Sequence, residues 1–175
     1  MNLQTLQTDL LNRFKYRSKA LAITDVYLRR AAFNLRHPKN VISWWRKIQV
    51  QDDCLLTGTL LKKSGTFDYT LGQFIMERFS IFKEEVGISF LDFIRRNQQA
   101  NVLLKSVSQF EYAVLRLKTG HSDDVVIPWP YEPFGVIESL LDNTYNENVL
   151  RPGNFEIIVS ESYGPELFRV YEIVN

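Results

Sequence analysis

Residues 90–120, FLDFIRRNQQANVLLKSVSQFEYAVLRLKTG, decide the fold. Within them Leu103, Val107, Phe110, Val114 and Leu117 recur at spacings of four, three, four and three. At about 3.6 residues per turn, that pattern is one apolar stripe along an α-helix. Gly120 follows where a left-handed C-terminal cap falls, so the stripe has a defined stop. The spacing predicts a spine helix on which the other elements pack. Its regular stripe marks it as scaffold, which places function in what it supports, the basic front or the β-rich tail.

Working back from the spine, Ser89 has the form of an N-cap, with Asp92 three residues on in the place of a capping-box carboxylate. A short helix, FLDFIRRN, is expected there, leading into the spine. Leu71, Phe74, Ile75, Phe79 and Phe82 trace the broad stripe of a preceding helix from Phe67, closed by Glu84-Glu85-Val86-Gly87. Near the amino end, Leu3, Leu6, Leu10 and Phe14 share one face and predict a helix over about residues 3–16. Thr24-Asp25 reads as an N-cap for a helix through Val26, Leu28, Ala31, Ala32 and Leu35, stopping near His37 because Pro38 follows. Pro38 suits the first position of a further helix, whose face is Val41, Ile42, Trp45 and Ile48. VISWW also suits a strand. From Gln51 to Gly65 the residues support a loop flanking one short helix or strand, with a turn at Lys62-Lys63-Ser64-Gly65.

Beyond Gly120 the character changes. His121-Ser122-Asp123-Asp124 is a polar loop, and VVIP, Trp129-Pro130 and Pro133 form an extended, proline-punctuated crossing. Val136, Ile137, Leu140 and Leu141 fit a short helix ending near Asp142-Asn143. FEIIVSES and ELFRVYEIV then alternate, through Phe155, Ile157, Val159 and through Leu167, Arg169, Tyr171, Ile173, around Ser162-Tyr163-Gly164-Pro165. That is a terminal β-hairpin. The expected fold is mainly α, within the α+β class. Residues 1–120 make a bundle-like helical domain, and residues 121–175 a smaller, extended and β-containing part packed on it.

A chain of 175 residues with 45% apolar and 13% aromatic content can bury a core and is no disordered polymer. Its formal charge of +1 suggests no polyanionic partner, yet the charge is uneven. Residues 1–50 carry ten Lys/Arg against Asp9 and Asp25, and the remaining 125 carry eleven against eighteen Asp/Glu. Such asymmetry hints at nucleic-acid or acidic-partner binding, or at two complementary ends facing each other within the fold. Cys54 is the single cysteine, so no intrachain disulfide forms and a reducing compartment is the simplest setting. No run approaches the roughly twenty apolar residues of a membrane span, and MNLQTLQTDLL lacks the layout of a secretory signal. A cytoplasmic location, away from membranes, is expected.

Catalytic chemistry finds few footholds. Two histidines, His37 and His121, and one cysteine do not assemble a Cys/His zinc cluster, and no helix carries the Glu-x-x-His spacing of bundle metal sites. There is no nucleophile elbow, Walker loop or dinucleotide turn. No metal, no cofactor and no enzymatic activity are therefore expected. His121 with Asp123 and Asp124 has the makings of a catalytic group, although a polar loop after a helix cap is the ordinary place for such residues. Glu111, beside the stripe, is expected to reach solvent or pair with Arg116, and Cys54 to act as a small buried apolar residue. Binding is the stronger class. Arg29, Arg30, Arg36, Trp44, Trp45, Arg46 and Lys47 gather cations and large aromatics. These residue types serve protein-interface hot spots and also phosphate binding with base stacking. A purely structural alternative puts Trp45 in the core and leaves the arginines as a solvated helix face. Against DNA, no helix-turn-helix with its turn glycine stands out.

Gly87-Ile88-Ser89-Phe90-Leu91-Asp92-Phe93-Ile94-Arg95-Arg96, followed by the Leu104–Arg116 run with Ser-Gln-Phe-Glu-Tyr-Ala at its centre, resembles a helical family that carries the label of a DNA-binding domain. Gly87, Phe90 and Leu91 match its Gly-x-x-Phe-Leu segment, and Phe110, Glu111, Tyr112 and Ala113 its Leu-Glu-Trp-Ala type motif. The likeness covers about residues 79–116. It implies a helical front with a smaller strand-containing back. It also implies a role like that of relatives that partner multinuclear iron oxygenases and present a ribosomal peptide for modification. The first 65 residues do not carry the pattern, so no functional residue transfers there. The function expected is a non-enzymatic accessory protein recognising a peptide or protein. The alternative is a nucleic-acid binder using the basic first fifty residues.

Overall fold

The spine stripe is the centre of the core. In a computed structural model describing residues 36–77, 85–97, 101–121 and 123–174, Leu103, Val107 and Phe110 are buried on helix α5 (Val102–Lys118), with Val114 and Leu117 half-buried along the same line. Asn101 caps its start, accepting the Leu103 N–H at 2.9 Å. Its end is a Schellman turn. Gly120, at φ +87°, donates to the Leu117 carbonyl, and the His121 N–H donates to that of Arg116. The stop expected at Gly120 is there, with the glycine supplying the left-handed residue.

Upstream stand α1 (Arg36–Asp53), α2 (Leu55–Lys63), α3 (Phe67–Glu77) and α4 (Val86–Asn97). The predicted helices over residues 3–16 and 24–35 lie outside the described residues. α1 runs through Pro38 instead of beginning at it, and His37 is helical. A proline biases its predecessor away from the α region without forbidding it, and Pro38 falls in the first turn of this span. VISWW is helical throughout. The ill-defined stretch 51–65 is the end of α1, a break at Cys54 and all of α2, and Gly65, at φ +71°, makes the expected turn.

α4 corrects the capping assignment. Ser89 is not an N-cap but an interior residue, its N–H bonded to the Glu85 carbonyl at 3.0 Å. Val86 and Gly87, expected to close the preceding helix, open this one and are buried. Tertiary packing explains the shift. A Cβ on Gly87 would overlap the Asp53 side chain, so the glycine lets the start of α4 press on the end of α1. That close approach outweighs the local Ser/Asp signal, whose residues are both half-buried within the helix.

The carboxyl part is a three-stranded antiparallel sheet in the order β1-β2-β3, with β1 (Val125–Tyr131), β2 (Pro152–Val159) and β3 (Phe168–Glu172). The predicted hairpin is β2–β3, registered from Phe155 opposite Glu172 to Val159 opposite Phe168. The proline-punctuated crossing proves to be β1, paired from Val125–Val159 to Trp129–Phe155 with an irregularity before Tyr131. Prolines are tolerated because β1 is an edge. Ser106 of α5 donates to the Pro128 carbonyl at 2.7 Å, which occupies part of that edge. The short helix α6 (Pro133–Leu141) opens on Glu132, which accepts the Phe134 and Gly135 N–H groups at 3.0 and 2.6 Å.

Ile127 and Trp129, with Phe155, Ile157 and Val159, form the inner face of the sheet and meet α5. The Phe110 ring stands edge-on to Trp129 at 5.8 Å and to Phe168 at 5.0 Å. These contacts join the helices and the sheet in one core among the described residues. The architecture is mainly helical with a small C-terminal sheet.

Candidate functional site

Successive residues on a helix are turned by about 100°, so four neighbours such as Trp44–Lys47 cannot share a face. α1 divides them. Trp44 and Trp45 point outward, 58% and 56% exposed, with ring centroids 6.2 Å apart and planes tilted by 42°. Arg46 turns inward and is only 6% exposed, and burial lowers its pKa from the ordinary guanidinium value. Lys47 is committed to Asp68 of α3, Nζ to Oδ1 at 2.6 Å, and lies 5.8 Å from the centroid of the Phe67 ring. Arg29 and Arg30 lie outside the described residues, and Arg36 begins the described part of α1. The alternative with Trp45 in the core and the arginines solvated is reversed at Trp45 and Arg46: the indole is outside and the guanidinium is inside.

The other unusual group is Glu111. Neither solvent nor Arg116 receives it. It is 8% exposed and accepts the Leu56 N–H at 2.6 Å and the Thr57 N–H at 2.8 Å, both from the first turn of α2. The reason lies in α2 itself. Its N-cap residue is Cys54, whose side chain makes no capping bond, so orphan N–H groups of the first turn need an acceptor from elsewhere. α5 supplies it across more than fifty residues of sequence. Burial raises the carboxyl's pKa, and the Thr57 hydroxyl and the two backbone donors offset only part of that rise, so it stands at about 7. The hydroxyl acts without completing a hydrogen bond of ordinary geometry. Cys54 is fully buried, its thiol directed to the Gly87 carbonyl at 3.5 Å. Burial, then the Glu111 and Asp53 charges, raise the thiol's pKa far above its ordinary value. This cluster ties α2, α4 and α5 together. Its thiol and carboxyl are shut away from ligands, so it serves the fold.

The missed role of Glu111 had a trace in the sequence, in the uncapped start of α2 and in a carboxylate next to buried Phe110. His121 is exposed, its Nδ1 3.2 Å from the Thr119 hydroxyl, while Asp123 pairs with Arg116 at 3.3 Å. The three residues do not converge as a nucleophile–base–orienter set. Among the described residues no cluster of His, Cys, Asp and Glu is arranged to hold a metal ion, and no helix is long and apolar enough to cross a membrane. No protein-family model matches the chain, and neither a curated protein nor a solved structure matches it.

Proposed function

We propose that the chain is a non-enzymatic accessory protein that binds a polypeptide partner through the tryptophan face of α1. The observation that carries the reading is the outward Trp44–Trp45 pair. Each indole, more than half exposed, has on the order of 100 Å² to bury, worth about 2–3 kcal/mol at roughly 25 cal/mol/Å². Tryptophan anchors of this kind dominate protein interfaces. The likeness over residues 79–116 suggests a peptide-modifying iron-oxygenase system as the setting, but the reading rests on the indoles.

Base stacking on the same indoles is the rival. It requires cations beside the rings to hold the phosphates. The two nearest in sequence are engaged elsewhere, Arg46 by burial and Lys47 by Asp68, which favours the polypeptide.

The test is an affinity capture with the full chain as bait, run beside W44A/W45A. A partner recovered by the parent and retained at least tenfold less by the variant, with circular dichroism unchanged, supports the reading. Equal capture by the variant refutes it. So does substrate turnover by the isolated chain, or binding of mixed DNA or RNA that collapses steeply with added salt.

A further inference from the structure

The C-terminal half of α5, α4 and the start of β1 enclose a cleft of about 410 Å³, a size that suits a small ligand or one or two peptide residues. Its apolar wall is Ala113, Leu117 and Val125, and half-buried Tyr112 stands beside them. The Arg95 guanidinium lies 4.4 Å from the Tyr112 ring centroid and that of Arg116 5.9 Å. An arginine held against an aromatic face is already restrained, so it loses less freedom when its planar fork of donors meets an anion.

The charges decide which ligand fits. Asp92 is paired with Arg96 at 3.2 Å, and Asp123 with Arg116 at 3.3 Å. Among the described residues Arg95 makes no ion pair, so the guanidinium open to a ligand on the cleft is that of Arg95, next to an apolar wall. A dianion such as phosphate would meet the two nearby carboxylates and leave the apolar wall unused. A monoanion with an apolar group satisfies both halves of the lining. The Schellman turn of α5 sets His121 at the rim, adding a ring nitrogen within the same lining.

We propose that this cleft binds an amphipathic carboxylate, with the carboxylate on Arg95 beside Tyr112 and the apolar group against Ala113, Leu117 and Val125. The C-terminal apolar residue of a peptide and a free hydrophobic acid share this chemistry. The site has no residue in common with the tryptophan face and stands or falls independently of it.

The experiment is an NMR titration of the isotope-labelled full chain with N-acetyl-leucine, N-acetyl-leucinamide, inorganic phosphate and an acetylated pentapeptide ending in leucine. The acid should shift the amides of Tyr112, Ala113 and Val125, and the amide analogue should bind at least tenfold more weakly, since a charge-assisted pair is lost. R95Q and R95K, at an exposed position, should each weaken the acid about tenfold without disturbing the rest of the spectrum. Tighter binding of the pentapeptide assigns the site to polypeptide termini, and binding no tighter than the acid assigns it to free acids. The proposal is overturned if the amide binds as well as the acid, if phosphate binds better, if R95Q binds normally, or if no shift appears at millimolar ligand.

Discussion

Replacing Glu111 by Gln keeps the size of the side chain and removes its proton chemistry, which separates two effects in the parent. The first is capping. Both carboxyl oxygens of Glu111 meet first-turn N–H groups of α2, and both accept fully when the group is ionised, whereas an amide has one acceptor oxygen for two donors. Leaving one buried donor unsatisfied costs about 1–3 kcal/mol. The second effect is ionisation. The folded carboxyl titrates near 7 because burial opposes its charge, against 4.5 for a glutamate in water. Between those values the folded protein holds a proton that the unfolded chain has released, so stability falls as pH rises. The advantage of the protonated form is complete below 4.5 and gone once pH passes the folded value near 7. About 2.5 units correspond to roughly 3 kcal/mol. Urea unfolding followed by far-UV circular dichroism, at pH 4.5, 6 and 7.5, measures the difference in stability between parent and E111Q. The stability of the parent relative to E111Q should fall steadily with rising pH, by up to about 3 kcal/mol, because only the parent has the titrating group. A relative stability that is flat, or that rises with pH, would refute the buried-carboxylate account.

Gly87→Ala should cost about 1–3 kcal/mol of unfolding free energy, measured by the same denaturation, because the added methyl group overlaps Asp53 where α4 meets α1. Stability equal to the parent would show that this crossing is looser than described. Cys54, fully buried with its thiol pKa raised by burial, should react with a thiol reagent in native buffer only as fast as the protein opens, and at once in denaturant. Rapid native labelling would contradict its position between α1 and α2.

The parts legible in the sequence are those whose physics is local. The stripe from Leu103 to Leu117 is a period within one helix, and Gly120 is a backbone requirement at one residue. The β2–β3 hairpin shows as alternation, although the half-buried positions of β3 are Phe168 and Val170, between the exposed Arg169 and Tyr171. The parts not legible depend on contacts between distant segments. β1 is hidden because Pro128 and Pro130 argue against a strand unless its edge position is known. Ser89 looks like a cap, yet the helix starts earlier because Gly87 fits against Asp53. At the candidate site, residue types marked out the Trp44–Lys47 segment. Only the helix phase, fixed by packing on α4, separates outward indoles from an inward Arg46.

The two glutamate caps show what that distinction means energetically. Glu132 caps α6 from the neighbouring position, accepting N–H groups two and three residues on, so the start of α6 is specified within its own sequence. Glu111 does the same work for α2 from the middle of another helix. A cap that arrives only when α5 docks makes the first turn of α2 conditional on tertiary structure. Before docking, that turn has unsatisfied donors and a weak cap residue in Cys54. After docking, it gains two short bonds at the cost of burying a carboxyl. The helix α2 is therefore coupled to the spine in a way α6 is not. Loosening α5 should fray α2 from its amino end, with the Leu56 and Thr57 amides losing protection from hydrogen exchange together, while Phe134 and Gly135 keep theirs.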